Sequence, residues 1–130
     1  MICLDSDCII DFLNGRKEAV RVVEKYKEEI VTTEINAFEV FFGIYNKINL
    51  NKSEENSASL FFNTIKILPM EIGLGKKTVK LLADLIKRGK VIEQNDCLIA
   101  SIMLKNGCGS IITNNIKPFS VIPEINVVSY

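Results

Sequence analysis

The sequence contains no histidine, and this absence narrows the kinds of metal site that the chain can form. Its four cysteines also have none of the spacings that zinc sites show. Cys3, Cys8, Cys97 and Cys108 are therefore expected to be reduced, buried thiols that behave as small apolar side chains. Any metal site in this chain would depend on oxygen ligands, which suit Mg²⁺ or Mn²⁺ better than zinc.

The chain also lacks a net charge and a long apolar run. Its 16 Lys and Arg residues balance its 16 Asp and Glu residues. The chain therefore has no overall positive charge that would indicate nucleic-acid binding, although this does not exclude a local basic patch. The residues that could form one are Lys47, Lys52, Lys76, Lys77, Lys80, Lys87, Arg88 and Lys90.

Neither a membrane-spanning helix nor a signal peptide is indicated. No apolar run approaches the ~20 residues that a membrane span needs, and no signal peptide precedes the first apolar run. We expect a soluble, cytoplasmic protein. Its 130 residues have the length of one domain, residues 1–130.

The first dozen residues carry the most informative pattern. Residues 1–4 are an apolar run too short for a helix, which predicts a buried parallel strand. Asp5 ends this run, at the end of a strand where open α/β sheets bind their ligands. Ser6 is the predicted N-cap of the next helix, which Asn14 and Gly15 end.

Short apolar runs alternate with amphipathic segments along the rest of the chain. Further strands are predicted near residues 29–32, 65–70, 110–113 and 127–128, with helices at 17–28, 34–47, 52–63, 74–88 and 95–105. The apolar side of the helix at 74–88 is predicted from Val79, Leu82, Leu85 and Ile86. This alternation predicts an α/β fold, with a mostly parallel sheet covered by helices on both faces.

Two carboxylates downstream of Asp5 occupy unusual positions. Glu39 shares helical spacing with Ile35, Phe38 and Phe42, so it interrupts an apolar helix face. A buried glutamate needs a partner, and a structural ion pair or a position at the edge of a groove would also explain it. Asp96 lies in the first turn of a helix, where stabilisation by the helix dipole is the simpler explanation.

Asp5, Glu39 and Asp96 can converge at one edge of the sheet. The first strand of such a sheet is usually central, and the loops after its strands meet at that edge. Carboxylates within about 4–6 Å raise each other's pKa unless a divalent cation neutralises them. The sequence therefore favours an acidic site for Mg²⁺ or Mn²⁺.

Four motifs, in order and at matching spacing, resemble those of PIN-domain ribonucleases, and more narrowly VapC-type toxins of toxin–antitoxin pairs. They are Leu4-Asp5-Ser6-Asp7-Cys8-Ile9-Ile10-Asp11-Phe12-Leu13, Phe38-Glu39-Val40-Phe41-Phe42-Gly43, Asn95-Asp96-Cys97-Leu98-Ile99-Ala100, and Thr113-Asn114-Asn115 with Phe119 and Ile122-Pro123. The resemblance implies a three-layer α/β/α fold and a metal-dependent endoribonuclease. Asp5, Glu39 and Asp96 would hold Mg²⁺ or Mn²⁺, which would acidify a water molecule and stabilise charge on the phosphate.

The resemblance also implies supporting residues and partners. Ser6, Asp7, Thr113, Asn114 and Asn115 are candidate supporting residues. Asn115 stands where the family often has a fourth acid, and Asp7 stands where a small polar residue is commoner. The implied partners are an RNA substrate, with tRNA and rRNA as candidates, and a cognate antitoxin protein.

Aromatic residues are concentrated in the two helices at 34–47 and 52–63, which form a predicted αα-hairpin. They are Phe38, Phe41, Phe42, Tyr45, Phe61 and Phe62. Because one small core needs fewer, part of this face is predicted to be an interface. A homodimer would use it, and the resemblance also suggests a homodimer.

Two other functions stay open. Asp5-Ser6-Asp7 after a strand has the spacing of the nucleophile and acid of a haloacid-dehalogenase-type phosphatase. That chemistry needs a lysine and a second acidic pair, and Asn95-Asp96 supplies only one acid. A PIN-like binding module without activity would use the acids as structural caps and the aromatic hairpin as its interface.

Overall fold

The computed structural model describes residues 1–130, which form five strands and seven helices. The elements in chain order are β1 (Ile2–Leu4), α1 (Ser6–Leu13), α2 (Lys17–Tyr26), β2 (Ile30–Thr33), α3 (Glu34–Tyr45), α4 (Lys52–Thr64), β3 (Lys66–Leu68), α5 (Leu74–Lys87), α6 (Gln94–Lys105), β4 (Ser110–Ile112), α7 (Ile116–Ser120) and β5 (Asn126–Val128). All neighbouring strands are parallel, in the order β3-β2-β1-β4-β5. The central position of β1 is as predicted.

Each face of the sheet has its own apolar core. Because side chains alternate along a strand, Cys3 and Leu4 contribute to opposite faces. One core joins the sheet to α1–α4 through residues such as Ile9, Val40 and Phe62. The other joins it to α5–α7 through Leu85, Ile102 and Phe119. The α/β/α layering is therefore confirmed, and all four cysteines are buried free thiols as expected.

The strands are shorter than the apolar runs suggest, and one helix is additional. Residues 65–70 contain a strand only at Lys66–Leu68, which Pro69 follows. The short helix α7 was not indicated, because five residues that include Pro118 show no helical periodicity. Proline is tolerated there because the first turn of a helix has no internal partner for its N–H groups. None of the seven helices has the length and apolar composition needed to cross a bilayer.

α3 buries a different side from the one that its spacing predicts. Phe38 and Phe42 are 61% and 58% exposed, and their rings stack at 6.1 Å between centroids. The buried apolar residues of α3 are Ala37, Val40 and Ile44, whereas Ile35 is only partly buried against the core on the other face of the sheet. Since apolar residues occur on most sides of α3, periodicity alone could not select the buried one.

The prediction for α5 is wrong in the same way at two of its four positions. Val79 and Ile86 are 57% and 61% exposed, whereas Leu85 is buried. The buried side of α5 also includes Leu74 and Thr78. α5 packs against α6, and this contact turns Val79 and Ile86 toward solvent.

Candidate functional site

The candidate site is an acidic cleft at the carboxyl edge of the sheet. Asp5 and Thr113 follow the neighbouring strands β1 and β4, and they meet there. The cleft has a volume of about 380 Å³. Its lining residues are Asp5, Ser6, Asp7, Glu39, Val91, Ile92, Glu93, Asp96, Asn115, Lys117 and Pro118. The three predicted metal ligands, Asp5, Glu39 and Asp96, therefore line one cleft.

Asp5 is buried and has hydrogen-bond partners on both carboxylate oxygens. Its Oδ1 accepts from the Ser6 backbone N–H at 2.9 Å and from the Asn36 side-chain amide at 3.0 Å. Its Oδ2 accepts from the Thr113 hydroxyl at 2.7 Å. Asp5 is thus the N-cap of α1, and the prediction of Ser6 as the cap is wrong. The residue after β1 already has the extended backbone that an N-cap requires.

Asn36 connects Asp5 to the start of α3, and no motif in the sequence pointed to it. Its buried amide nitrogen donates to Asp5 Oδ1 and to the Ser6 hydroxyl, both at 3.0 Å. Its Oδ1 accepts from the hydroxyl of Thr33 at 2.7 Å, and Thr33 Oγ1 accepts from the Asn36 backbone N–H. This is a capping box, with Thr33 as the N-cap. The signal was weak because such boxes usually carry Glu or Gln three residues after the cap.

Glu39 lies at the edge of the cleft, one turn after Asn36. Its Oε1 accepts from the Ser6 hydroxyl at 2.7 Å. The Ser6 hydroxyl therefore links Asn36 to Glu39. It does not cap α1. None of the three ion pairs in the molecule includes Glu39. The groove-edge explanation of Glu39 is correct, and the ion-pair explanation is wrong.

Asp96 approaches the cleft from the first turn of α6. Burial is the main cause that raises the pKa of Asp96 to about 6, and repulsion from Glu39, Glu93 and Asp7 adds to it. The same causes act on Asp5. Burial raises the pKa of Asp5 to about 7 with help from Asp7 and Asp96, although its hydrogen bonds oppose the change. The carboxylates therefore form one repulsive group.

Asp7 holds the turn between β4 and α7. Its carboxylate accepts from the backbone N–H groups of Cys8 at 2.6 Å, Asn114 at 2.9 Å and Asn115 at 3.2 Å. The Thr113 hydroxyl lies 3.2 Å from its Oδ2. Asp7 is thus in the first turn of α1, as predicted, but it also fixes a distant turn.

The two asparagines of that turn have different surroundings. Asn115 lines the cleft, and its backbone N–H donates to the Thr113 hydroxyl at 2.9 Å. The Asn114 side chain instead accepts from the Tyr130 backbone N–H at 3.2 Å. Asn115, the residue at the position of the family's fourth acid, therefore lies at the cleft, and its neighbour Asn114 does not line it.

The donor set of the cleft suits a hard cation. No ion pair neutralises Asp5, Glu39 or Asp96, and Lys117 is the single basic residue among those that line the cleft. No three Asp, Glu or Cys side chains come close enough to enclose a metal ion by themselves. Mg²⁺ usually binds through one or two carboxylates and keeps several waters, so the carboxylate oxygens of this cleft suit it.

Solved structures of toxin–antitoxin proteins have the same fold as this chain. VapBC2 from Rickettsia felis, bound to a promoter DNA fragment, superposes with a TM-score of 0.86 at 22% identity, over 100% of this chain and 99% of that chain. VapBC-1 from nontypeable Haemophilus influenzae gives 0.80 at 22% identity, over 99% and 98%. VapC20 from Mycobacterium tuberculosis, a toxin that cleaves the sarcin-ricin loop, gives 0.64 at 10% identity, over 85% and 87%.

The sequence of the chain matches a protein family but no individual curated protein. No curated protein shows significant sequence similarity to the chain. The family model of the PIN domain, however, matches residues 2–125. This match includes all four motifs on which the resemblance rested. The chain therefore belongs to the PIN domain family.

Proposed function

We propose that residues 1–130 form a single endoribonuclease domain of the VapC toxin type. In this proposal the chain hydrolyses RNA phosphodiester bonds with Mg²⁺ or Mn²⁺ held by Asp5, Glu39 and Asp96, directly or through bound water. The observation that carries it is the cleft in which these carboxylates lie without a cationic partner, in a chain that matches the PIN domain over residues 2–125. Family membership favours this nuclease over the phosphatase alternative.

The three carboxylates are held in different ways, which gives them different roles in the proposed site. Asp5 is held on both oxygens by hydrogen bonds, so it is a fixed ligand. Glu39 is oriented by the Ser6 hydroxyl. Asp96 takes part in no ion pair, and its carboxylate can turn toward an ion.

The carboxylates and the cation would divide the chemistry between them. A bound divalent cation supplies an acidified water and stabilises the charge that develops on the phosphate. Asp5, Glu39 and Asp96 orient the site, and their repulsion is relieved when positive charge enters. Lys117 lines the same cleft and can contact a phosphate oxygen. Asn115 offers an amide oxygen but no charge, so we propose one strongly held ion.

Two protein partners belong to the proposal. The solved structures of similar fold include VapBC and FitAB toxin–antitoxin complexes, which supports a cognate antitoxin for this chain. We propose that it occludes the acidic cleft. The stacked, exposed rings of Phe38 and Phe42 support a homodimer through α3.

The test is cleavage of a structured RNA with Mn²⁺ by the parent and by Asp96→Asn. Glu24→Gln is the control, because it removes one negative charge at an exposed position of α2 that takes part in no ion pair and does not line the cleft. We expect cleavage by the parent and the control, and a loss of 100-fold or more, roughly, in Asp96→Asn.

Two results would contradict the proposal. Intact RNA with the parent in the presence of Mn²⁺ would favour the inactive binding module. Turnover of a small phosphate monoester that disappears equally in Asp5→Asn and Asp7→Asn, with RNA intact throughout, would favour the phosphatase.

A further inference from the structure

A stripe of three lysines follows α5 along most of its length. Lys76, Lys80 and Lys87 are exposed, and at about 100° per residue they lie within about 40° of one another around the helix. The helix rises roughly 16 Å between the first and the last of them. These three residues, here called the lysine stripe, lie on the side of α5 opposite its buried residues Leu74, Thr78 and Leu85, and they are exposed to solvent.

Positive charge is concentrated around this stripe although the whole chain is neutral. Six of the 16 basic residues occur between positions 76 and 90, where Asp84 is the only acid: Lys76, Lys77, Lys80, Lys87, Arg88 and Lys90. Arg88 pairs with Asp84 at 2.8 Å. The five lysines take part in none of the molecule's three ion pairs, so their charge is available to a ligand.

The turn at the end of α5 leads the chain from the stripe into the acidic cleft. Gly89 has a φ of 74°, and the Lys90 N–H donates to the Leu85 carbonyl at 2.9 Å while the Gly89 N–H donates to Ile86 at 3.0 Å. These two bonds form a Schellman motif, which gives the turn a fixed geometry. The next residues, 91–93, line the cleft. The basic segment therefore ends at the mouth of the cleft.

If the ligand of the cleft is a polyanion, a positively charged surface is needed beside the cleft. Its carboxylates repel phosphate groups, and Lys117 is the one basic residue in its lining. Attraction for a nucleic-acid strand must therefore come from outside the cleft. A row of unpaired lysines that ends at the cleft has the charge and the direction for this.

We propose that the lysine stripe of α5 binds the phosphate backbone of the RNA substrate and guides the strand into the cleft. This inference rests on the proposed nuclease function and adds the surface that captures the substrate. The stripe acts by charge and not by base recognition, so it contributes affinity that is sensitive to salt and insensitive to sequence.

The test compares two triple variants that lose the same number of charges. One is Lys76→Gln, Lys80→Gln and Lys87→Gln in the stripe. The control is Lys17→Gln, Lys27→Gln and Lys66→Gln, which are exposed; Lys27 and Lys66 lie near the amino ends of β2 and β3, opposite the cleft. Binding of a fluorescent single-stranded RNA is measured in EDTA, which prevents cleavage, between 50 and 200 mM NaCl; these concentrations span about a fourfold range.

We expect the slope of log K against log salt to become shallower by about 2 in the stripe variant, from about 0.7 per lost contact. When salt is raised about fourfold, the RNA affinity of the parent should therefore fall about 16 times more than the affinity of the stripe variant. The control should retain the parent's affinity and slope. In Mn²⁺ the stripe variant should raise KM for RNA while kcat stays near the parent value.

An unchanged salt slope and an unchanged KM in the stripe variant would overturn the inference about the stripe. If the parent still cleaves RNA in that case, the proposed nuclease function is unaffected. A parent that neither binds nor cleaves RNA would overturn both. A stripe variant that binds RNA normally but loses an acidic protein partner would make the stripe a protein-docking surface, which also refutes the inference.

Discussion

Removal of the charge on Asp5 should change how the stability of the metal-free protein depends on pH. Burial raises the pKa of Asp5 from 3.8 to about 7, so the folded protein favours the neutral carboxyl group. Between these two values the folded state binds more protons than the unfolded state. The free energy of unfolding therefore falls as pH rises through this window.

The size of the effect follows from the change in pKa. Three pKa units correspond to about 4 kcal/mol over the full range, and about 3 kcal/mol of this falls between pH 5 and pH 8. Little of it is screened, because Asp5 is only 5% exposed. Asp96, whose pKa is raised to about 6, contributes in the same direction but less, because it is only half buried.

Asp5→Asn should abolish most of this dependence and keep the local hydrogen bonds. The amide oxygen can still accept from Ser6 and Asn36, and the amide nitrogen can donate to the Thr113 oxygen. At pH 8 in EDTA, the variant should be at least as stable as the parent and up to about 4 kcal/mol more stable.

Urea unfolding in EDTA at pH 5, 6, 7 and 8 measures the effect, with Asp84→Asn as a control that should keep the parent's pH dependence. A parent whose stability is flat or rises over this range would refute the electrostatic account of the cleft. So would an Asp5→Asn protein that is less stable than the parent at pH 8.

Further perturbations test other contacts. Saturating Mn²⁺, at 100 times its Kd, should stabilise the parent by about 2.7 kcal/mol, and Asp96→Asn should reduce the shift in melting temperature without unfolding the protein. Asn36→Ala should lower the free energy of unfolding by about 2–3 kcal/mol, because it leaves buried donors of Thr33 unpaired; a loss below 0.5 kcal/mol, roughly, would contradict that. Asp7→Asn should keep metal-dependent RNA cleavage within about tenfold of the parent, since its oxygens hold a turn and need not bind the ion. Phe38→Ser with Phe42→Ser should weaken self-association in sedimentation without lowering stability; equal sedimentation of parent and variant would count against a dimer through α3.

The sequence alone predicted the α/β layering, the central first strand and the carboxylates that line the cleft. Each of these depends on local properties. Apolar runs of three or four residues define strands, and a carboxylate that directly follows such a run must lie at the carboxyl edge of a parallel sheet. Asp5 is therefore placed by its immediate neighbours, and the positions of Glu39 and Asp96 follow from the order of the elements.

The tertiary structure decided which helix sides are buried and which polar groups meet. Phe38 and Val79 are exposed because the sheet and the neighbouring helices cover other sides of α3 and α5, and helical spacing is the same for either choice. Asn36 is 31 residues from Asp5, and Thr113 is 108 residues away. Hydrogen bonds over such separations depend on the packing of whole elements, so no short motif can specify them.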